Sequence, residues 1–138
     1  MDISRLDNRL ANDSYYMGHI ANSILLLMKN ALYPWFVIVP DTDETEFYKL
    51  ASSQQVELLE QINQLSAFII NNFQIEKLNV ATIGNVVAQM HIHVVGRHSH
   101  DACWPGVVWG YDAFTAYSTE QLGEIKLKLG AELTGFKS

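Results

Sequence analysis

Two apolar runs that lie close together in the chain constrain its fold more than any other feature. Residues 24–28 read Ile-Leu-Leu-Leu-Met, residues 35–39 read Trp-Phe-Val-Ile-Val, and a proline at position 40 ends the second run. Short runs without polar alternation are typical of strands that are buried on both faces. Because only the turn-like residues 29–34 separate them, we expect the two strands to pair as an antiparallel hairpin.

A long amphipathic helix is predicted after this hairpin. Ser52 and Gln55 have the spacing of a capping box, in which the two residues satisfy each other's backbone N–H groups. Apolar residues then recur at steps of four, three and four, at Leu58, Ile62, Leu65 and Ile69. This spacing places them on one face of a helix that we expect to end near residues 71–72.

Two more strands and a second helix follow. Residues 78–83 and 86–95 predict strands joined by a turn, and the second of these carries the motif described below. Ser118 with Gln121 predicts the start of a last short helix, which Gly130 is expected to stop. The order strand, strand, helix, strand, strand, helix predicts an α+β fold, in which helices pack on one face of an antiparallel meander sheet.

The composition fits one globular domain. The chain has 138 residues, of which 49% are hydrophobic and 17% are charged. This balance supports a buried core rather than disorder. We expect a single domain over residues 1–138, in which the segment from about 107 to 138 forms a C-terminal extension.

Charge and cysteine content argue against several classes of protein. The formal net charge of −6 disfavours general binding to nucleic acid or to anionic membranes, because both select basic surfaces. No stretch approaches the ~20 apolar residues of a membrane-spanning helix, and the first residues lack the pattern of a signal peptide. Cys103 is the single cysteine, which excludes an internal disulfide. Together these features predict a cytoplasmic protein.

Residues 89–95 combine polar chemistry with an apolar backing. They read Gln-Met-His-Ile-His-Val-Val, and a strand turns alternate side chains to the same face. Gln89, His91 and His93 therefore share one face, while the apolar residues between them lie on the other. Two imidazoles and an amide on one surface predict a site that acts on a small polar group.

Two other interpretations of the histidines stay open. A histidine in an apolar strand is usually half-buried with satisfied hydrogen bonds, although a pair at this spacing adds little to a strand. A metal site is the second interpretation, because His98 and His100 repeat the His-x-His spacing. A zinc site needs three or four ligands in fixed geometry, so we expect no metal here, but the order of ligands alone does not exclude one.

Residues 89–95 resemble the signature of the histidine-triad (HIT) superfamily, His-φ-His-φ-His-φ-φ, with glutamine in place of the first histidine. Gly84 before the motif and the Trp-Pro-Gly sequence at residues 104–106 are similar to the Hint-like branch of that superfamily. The likeness extends from about residue 24 to residue 110, and only the motif region is specific. The resemblance implies a sheet that joins the sheet of a second copy in a homodimer.

The resemblance also implies catalytic roles for three residues. His91 matches the middle histidine, which attacks phosphorus and holds the nucleotidyl group covalently, and a neutral imidazole with one free ring nitrogen is a competent nucleophile. His93 matches the third histidine, which contacts the scissile phosphate and can protonate the leaving group. Gln89 stands where the family has a histidine behind the nucleophile, and glutamine keeps a donor and an acceptor but cannot titrate.

Three further residues are candidates for substrate binding. Asn85 falls where family members place an amide that contacts the phosphates, although a turn residue beside Gly84 explains it equally well. Arg97 is the nearest cation past the motif, either for phosphate neutralisation or as a solvated loop residue. Trp104 resembles the tryptophan that approaches the active site in Hint-like relatives, sometimes from the partner subunit.

Two other positions depart from the family pattern. Trp35 follows Pro34 where many relatives read Pro-Gly-His or a similar tripeptide with another buried histidine. Val86 stands where relatives often offer a hydroxyl group to the phosphate. These differences bear on rate and substrate choice more than on the identity of the nucleophile.

The sequence therefore predicts a nucleotidyl hydrolase or transferase that needs neither metal nor cofactor. Its substrate would be a nucleotide, with a purine as the expected base, joined to a phosphate- or amine-type leaving group. A dinucleoside polyphosphate and a nucleoside phosphoramidate both fit a covalent nucleotidyl-histidine mechanism. The alternative is a non-catalytic nucleotide-binding or dimeric interaction module derived from a HIT enzyme, in which Gln89 and Trp35 mark the loss of activity.

Overall fold

The computed structural model describes all residues, 1–138, as one antiparallel sheet flanked by helices. The strands are β1 (Ser14–Ile20), β2 (Ser23–Met28), β3 (Trp35–Val39), β4 (Lys77–Ala81), β5 (Ile92–Arg97) and β6 (Phe136–Lys137). They are ordered β4-β5-β3-β2-β1-β6, and every neighbouring pair runs antiparallel. The helices are α1 (Asn8–Asp13), α2 (Ser52–Asn72) and α3 (Thr119–Glu132). This architecture confirms the predicted α+β fold class.

The predicted hairpin of two apolar strands lies in the middle of the sheet. β2 pairs with β3 from Ile24 opposite Val39 to Leu27 opposite Phe36. Every residue of β3 is buried, as are all but the last of β2. The absence of polar alternation in both runs therefore reflects burial on both faces, as the sequence predicts.

Two apolar cores lie on opposite faces of the sheet. On one face, Leu25 and Phe36 belong to a cluster of 17 buried residues that includes residues of α2 and α3. On the other face, Ile24 and Val37 belong to a cluster of 11 buried residues, to which α1 contributes Leu10. The two long helices thus lie on one face as expected, whereas the short α1 packs on the other.

The motif strand begins later than the sequence predicts. β5 starts at Ile92 rather than at Val86, so His91 and the residues before it precede the strand. The backbone partners of β5 run out at this point, because β3 is followed by Pro40 and β4 ends at Ala81. Without a neighbour to pair with, the preceding residues adopt an irregular conformation.

The N-terminus of α2 is shifted by one residue from the predicted capping box. Ala51 is the N-cap residue, and the Gln54 side chain accepts a hydrogen bond from the Ala51 N–H at 3.2 Å. Ser52 therefore lies inside the first turn, and half of the box is missing because alanine has no side-chain acceptor. The helix ends at Asn72, as expected. No helix of the chain combines the length and the apolar composition needed to cross a membrane.

The last helix, α3, opens with the predicted capping box. Ser118 Oγ accepts from the N–H of Gln121 at 3.1 Å, and Gln121 Oε1 accepts from the N–H of Ser118 at 2.8 Å. The helix does not stop at Gly130 but continues to Glu132. Gly130 thus lies within the last turns of the helix, where a side chain would be in ordinary contact with the ring of Phe136 on β6.

Sequence patterns do not predict α1, β1 or β6. The register of β1 against β2 shifts at Gly18, which has a φ of 145°. A side chain at Gly18 would overlap the carbonyl of Lys137 on β6, so the bulge and the close strand both require glycine. The bulge interrupts the alternation that marks a strand, and β6 is too short to show any pattern.

Candidate active site

His91 and His93 lie side by side and are nearly buried. Their ring centroids are 5.0 Å apart and the rings are inclined at 70°. Each side chain is 6% exposed. The intervening Ile92 and the flanking Met90 and Val94 belong to the core shared with the long helices. The predicted alternation of histidines and core residues is therefore present, even though His91 precedes the strand.

The backbone of Gln89 holds the His91 ring. Nδ1 of His91 lies 2.7 Å from the carbonyl oxygen of Gln89. A carbonyl can only accept, so Nδ1 carries the proton and donates, and in the neutral ring Nε2 keeps its lone pair. This arrangement leaves one nitrogen of His91 available for bonding to a substrate atom.

The indole of Trp35 holds the His93 ring in the opposite protonation pattern. Nε1 of Trp35 donates to Nδ1 of His93 at 3.0 Å. An indole N–H can only donate, so Nδ1 of His93 carries the lone pair and Nε2 carries the proton. Burial lowers the pKa of His93 to about 4, and the neighbouring His91 acts in the same direction. His93 is therefore neutral near pH 7.

The pairing of β3 with β5 positions Trp35 for this contact. Trp35 lies opposite Val95 and Val37 lies opposite His93, so Trp35 and His93 are diagonal neighbours across the two strands. The Trp109 ring packs against both side chains, with centroids 5.3 Å from His93 and 5.8 Å from Trp35. Sequence reasoning identifies Trp35 only as a departure from a pattern and gives Trp109 no part in the site. The contact of Trp35 with His93 could have been predicted only from the alternation of side chains along β3 together with the pairing of β3 with β5.

The side chain of Gln89 fastens the N-terminal segment to the motif. Its Oε1 accepts from the N–H of Asp7 at 2.7 Å, and its Nε2 donates to the carbonyl of Arg5 at 3.0 Å. Arg9 adds a second link, since its guanidinium donates to the carbonyl of Val86 at 2.9 Å. The amide of Gln89 is thus bonded to the N-terminal segment rather than to either imidazole, and its contact with His91 is through the backbone.

Arg97 is buried in a cluster of hydrogen bonds that does not include either imidazole. Its guanidinium forms a bidentate pair with Asp101, at 2.7 and 3.0 Å, and also donates to Asn79 and to the carbonyl of Gly106. Burial alone would raise the pKa of the Asp101 carboxyl, but hydrogen bonds from Arg97 and the backbone lower it below its ordinary value. With Arg97 only 2% exposed, the structure does not bring it to the candidate site as a phosphate ligand.

The other two expected binding residues lie at the surface. Asn85 is exposed in the irregular segment between β4 and β5, next to Gly84. Trp104 is 37% exposed and its ring packs over the Arg97 guanidinium at 5.7 Å. Through these contacts Arg97 holds the loop that carries Trp104 in place.

The second histidine pair, His98 and His100, lies in the turn that follows β5. No group of three or more His, Cys, Asp or Glu residues is arranged to hold a metal ion. The backbone N–H of His100 donates to Nδ1 of His98 at 3.1 Å.

Comparisons with known proteins place this geometry in a family. A family model described as the HIT domain matches residues 9–100. A histidine triad protein from Marinobacter aquaeolei VT8 is 37% identical, with 94% of this chain and 95% of that chain covered and a TM-score of 0.87. A histidine triad protein from Bradyrhizobium japonicum is 32% identical, with 94% and 97% covered and a TM-score of 0.88.

A third solved structure, of a histidine triad protein from Sinorhizobium meliloti 1021, is 30% identical, with 93% and 96% covered and a TM-score of 0.88. No curated protein matches the chain. The likeness to the three solved structures extends over nearly the whole chain, and the matched family model includes both site histidines. The chain therefore belongs to the histidine triad (HIT) family.

Proposed function

We propose that the protein is a nucleotidyl hydrolase or transferase in which His91 is the nucleophile. Membership of the HIT family supports nucleotide-binding hydrolase or transferase activity in general. The observation that carries the specific proposal is the hydrogen bond from Nδ1 of His91 to the Gln89 carbonyl. It orients the ring and leaves the Nε2 lone pair free, as nucleophilic catalysis by a neutral imidazole requires.

The proposed reaction has two displacement steps. Nε2 of His91 forms a bond to the α-phosphorus of the nucleotide, and the bond to the leaving group breaks with its electron pair on the departing atom. Water then attacks the same phosphorus, the N–P bond breaks, and the electron pair returns to Nε2 while the proton of the water passes to solvent. An acceptor hydroxyl in place of water gives transfer instead of hydrolysis.

The neighbouring residues have supporting parts in this proposal. His93 presents its Nε2–H to a phosphate oxygen, because Trp35 occupies its other nitrogen. Asn85, which is exposed, is a candidate amide donor to the phosphates, and Trp104, which is partly exposed, is a candidate substrate contact. Gln89 takes the position of the first motif histidine but acts through its backbone carbonyl. A purine base, membership of the Hint-like branch and a cytoplasmic location belong to the same proposal.

A non-catalytic nucleotide-binding module is the second candidate. One observation favours it: the Gln89 amide, at the first motif position, is already bonded to Arg5 and Asp7 and cannot titrate. The presence of His91 with a free Nε2 favours the enzyme, since a binding module needs no nucleophile.

Mass spectrometry of the intact protein separates the two candidates. The protein is mixed with a dinucleoside polyphosphate or an adenosine phosphoramidate and quenched in denaturant without acid, because phosphorus–nitrogen bonds are acid-labile. We expect a nucleotidyl adduct on His91, its absence in His91→Ala, and its persistence in the control His100→Ala, which changes an exposed histidine. Nucleotide binding with neither an adduct nor released nucleoside monophosphate would overturn the enzyme proposal.

A further inference from the structure

We infer that Trp35 is a positioning residue that fixes His93 as a neutral Nε2–H donor, and that it thereby selects substrates whose leaving group departs as a phosphate oxygen rather than as an amine. This inference rests on the proposed function and extends it to the choice of leaving group. It assigns a specificity-determining part to a residue that does not contact the substrate phosphorus.

The first step is that the Trp35 indole is held in place. Its side chain is 8% exposed, and it is packed between the rings of Tyr33 and Trp109, with centroids 6.5 and 5.8 Å away. Its N–H is directed at Nδ1 of His93 over 3.0 Å. The indole therefore donates to one nitrogen of His93, and rotation out of this contact would disturb both packed rings.

The second step is that His93 has no partner that would stabilise a positive charge. Three rings pack against His93: Trp35 from β3, Trp109 from the chain after β5, and His91 from the segment before β5. Burial opposes protonation of His93, and His91 is the one titratable neighbour that acts on it, in the same direction, so that the pKa of His93 falls to about 4. A proton on Nδ1 would also face the indole N–H, donor against donor.

The third step concerns what each leaving group needs. When a phosphoanhydride bond breaks, the electron pair stays on a phosphate oxygen, which is stable without a proton and can accept a hydrogen bond from His93 Nε2–H. When a phosphoramidate bond breaks, the electron pair goes to a nitrogen that must take up a proton in the same step. Neutral His93 is too weak an acid to supply that proton, and the proton on His91 Nδ1 is held by the Gln89 carbonyl.

Nitrogen NMR of the histidine rings tests the tautomer without any substrate. In the wild-type protein we expect His93 with an unprotonated Nδ1, a protonated Nε2 and no titration between pH 8 and about 5. Trp35→Phe removes the N–H and keeps an aromatic ring, so His93 should become a mixture of tautomers. Trp109→Phe is the matched control, because Trp109 packs on the same ring but its Nε1 has no hydrogen-bond partner. A wild-type His93 protonated on Nδ1 would overturn the inference.

Kinetics with two substrates that share one nucleotide test the selectivity. We expect the wild-type kcat/KM for a diadenosine polyphosphate to exceed that for adenosine 5′-phosphoramidate by about 100-fold or more, within the range attributed to general acid catalysis. Trp35→His offers an acceptor that allows His93 to become an imidazolium. Trp35→His should lower the ratio of the two kcat/KM values by about tenfold or more, and the change should come from kcat for the phosphoramidate rather than from KM.

Three outcomes of the kinetic test contradict the inference or the proposal beneath it. Equal or faster cleavage of the phosphoramidate by the wild-type protein would overturn the selectivity, and so would an unchanged ratio in Trp35→His. Turnover of neither substrate, with the expected NMR result, would overturn the proposed function and the selectivity together while the tautomer assignment stands. The two failures are therefore distinguishable.

Discussion

At the scale of single residues, the hydrogen-bond partners of His91 and His93 determine which ring nitrogen of each imidazole carries the proton. The Gln89 carbonyl can only accept and the Trp35 indole can only donate, so the rings of His91 and His93 carry their protons on different nitrogens. His91 thereby presents a lone pair and His93 presents an N–H. Two chemically identical side chains therefore offer different hydrogen-bonding groups at Nε2, because each makes one different contact at Nδ1.

Substitution of Gln89 tests whether its side chain or its backbone matters to the nucleophile. Because the contact to His91 is made by the carbonyl, Gln89→His should change turnover by about tenfold or less, which corresponds to ~1.4 kcal/mol in barrier height. Gln89→Ala removes two hydrogen bonds to the N-terminal segment and should lower the free energy of unfolding by about 1–2 kcal/mol. Steady-state kinetics and urea unfolding measure the two effects. If the wild type shows no turnover and only Gln89→His is active, the wild-type protein has lost the catalytic activity of its family.

The lowered pKa of His93 predicts how stability depends on pH. The pKa is about 4 in the folded protein against an ordinary 6.5, so between these values the unfolded chain binds more protons. The free energy of unfolding therefore falls as the pH drops from 6.5 to 4, by up to about 3 kcal/mol from this residue alone. Urea unfolding across that range should show a shallower dependence in His93→Gln than in the wild type. The exposed control His100→Gln should keep the wild-type slope, and equal slopes in all three proteins would contradict the prediction.

At the scale of secondary-structure elements, the β3–β5 pair builds the site. The register that sets Val37 opposite His93 brings Trp35 diagonally to the same imidazole. A shift of one residue in this register would move the Trp35 side chain to the opposite face of the sheet from His93. The Trp35–His93 contact therefore requires the observed register. The irregular segment before β5 frees the Gln89 carbonyl from the ladder, which makes it available to His91.

The N-terminus of α2 offers a test of which residue caps the helix. Ala51 occupies the N-cap without a side-chain acceptor, whereas Ser52 lies within the first turn. Ala51→Ser should complete the capping box with Gln54 and raise the free energy of unfolding by about 0.5–1 kcal/mol. Ser52→Ala, at the position that the sequence pattern favours for the cap, should change it by less than about 0.5 kcal/mol. The reverse ranking in urea unfolding would show that Ser52 is the cap.

At the scale of the whole molecule, the N-terminal segment and the motif segment hold each other. Gln89 binds the backbone at Arg5 and Asp7, and Arg9 binds the backbone at Val86. Leu6, Leu10 and Val87 belong to the apolar core on the same side of the sheet. The irregular segment that carries His91 is therefore supported from two sides, by the sheet and by the start of the chain.

We predict that two copies of the chain form a homodimer. The resemblance of the motif and of the Trp104 loop to dimeric relatives is the basis, and exposed apolar side chains at Val80, Ile83 and Val86 lie on and beyond the edge strand β4. Light scattering at tens of micromolar protein measures the assembly. A monomer under these conditions would contradict the prediction.

The sequence by itself determined the features that arise from local periodicity. The apolar runs of β2 and β3, the repeat along α2 and the capping box at Ser118 are visible because each reports burial or hydrogen bonding within a few residues. The alternation around His91 and His93 is visible for the same reason, and with it the family. The start of β5 could not be predicted from local periodicity, because it is set by the ends of its neighbours β3 and β4.

Only the tertiary structure decided what the individual site residues contact. Trp35 and His93 are 58 residues apart in the chain, and Gln89 and Asp7 are 82 apart. Arg97 is a plausible phosphate ligand in the sequence, yet folding pairs it with Asp101 and Asn79. Hydrogen bonds between distant residues depend on strand register and loop path, which no local pattern encodes. The residue types of the site were therefore readable from the sequence, whereas their protonation and partners followed from the fold.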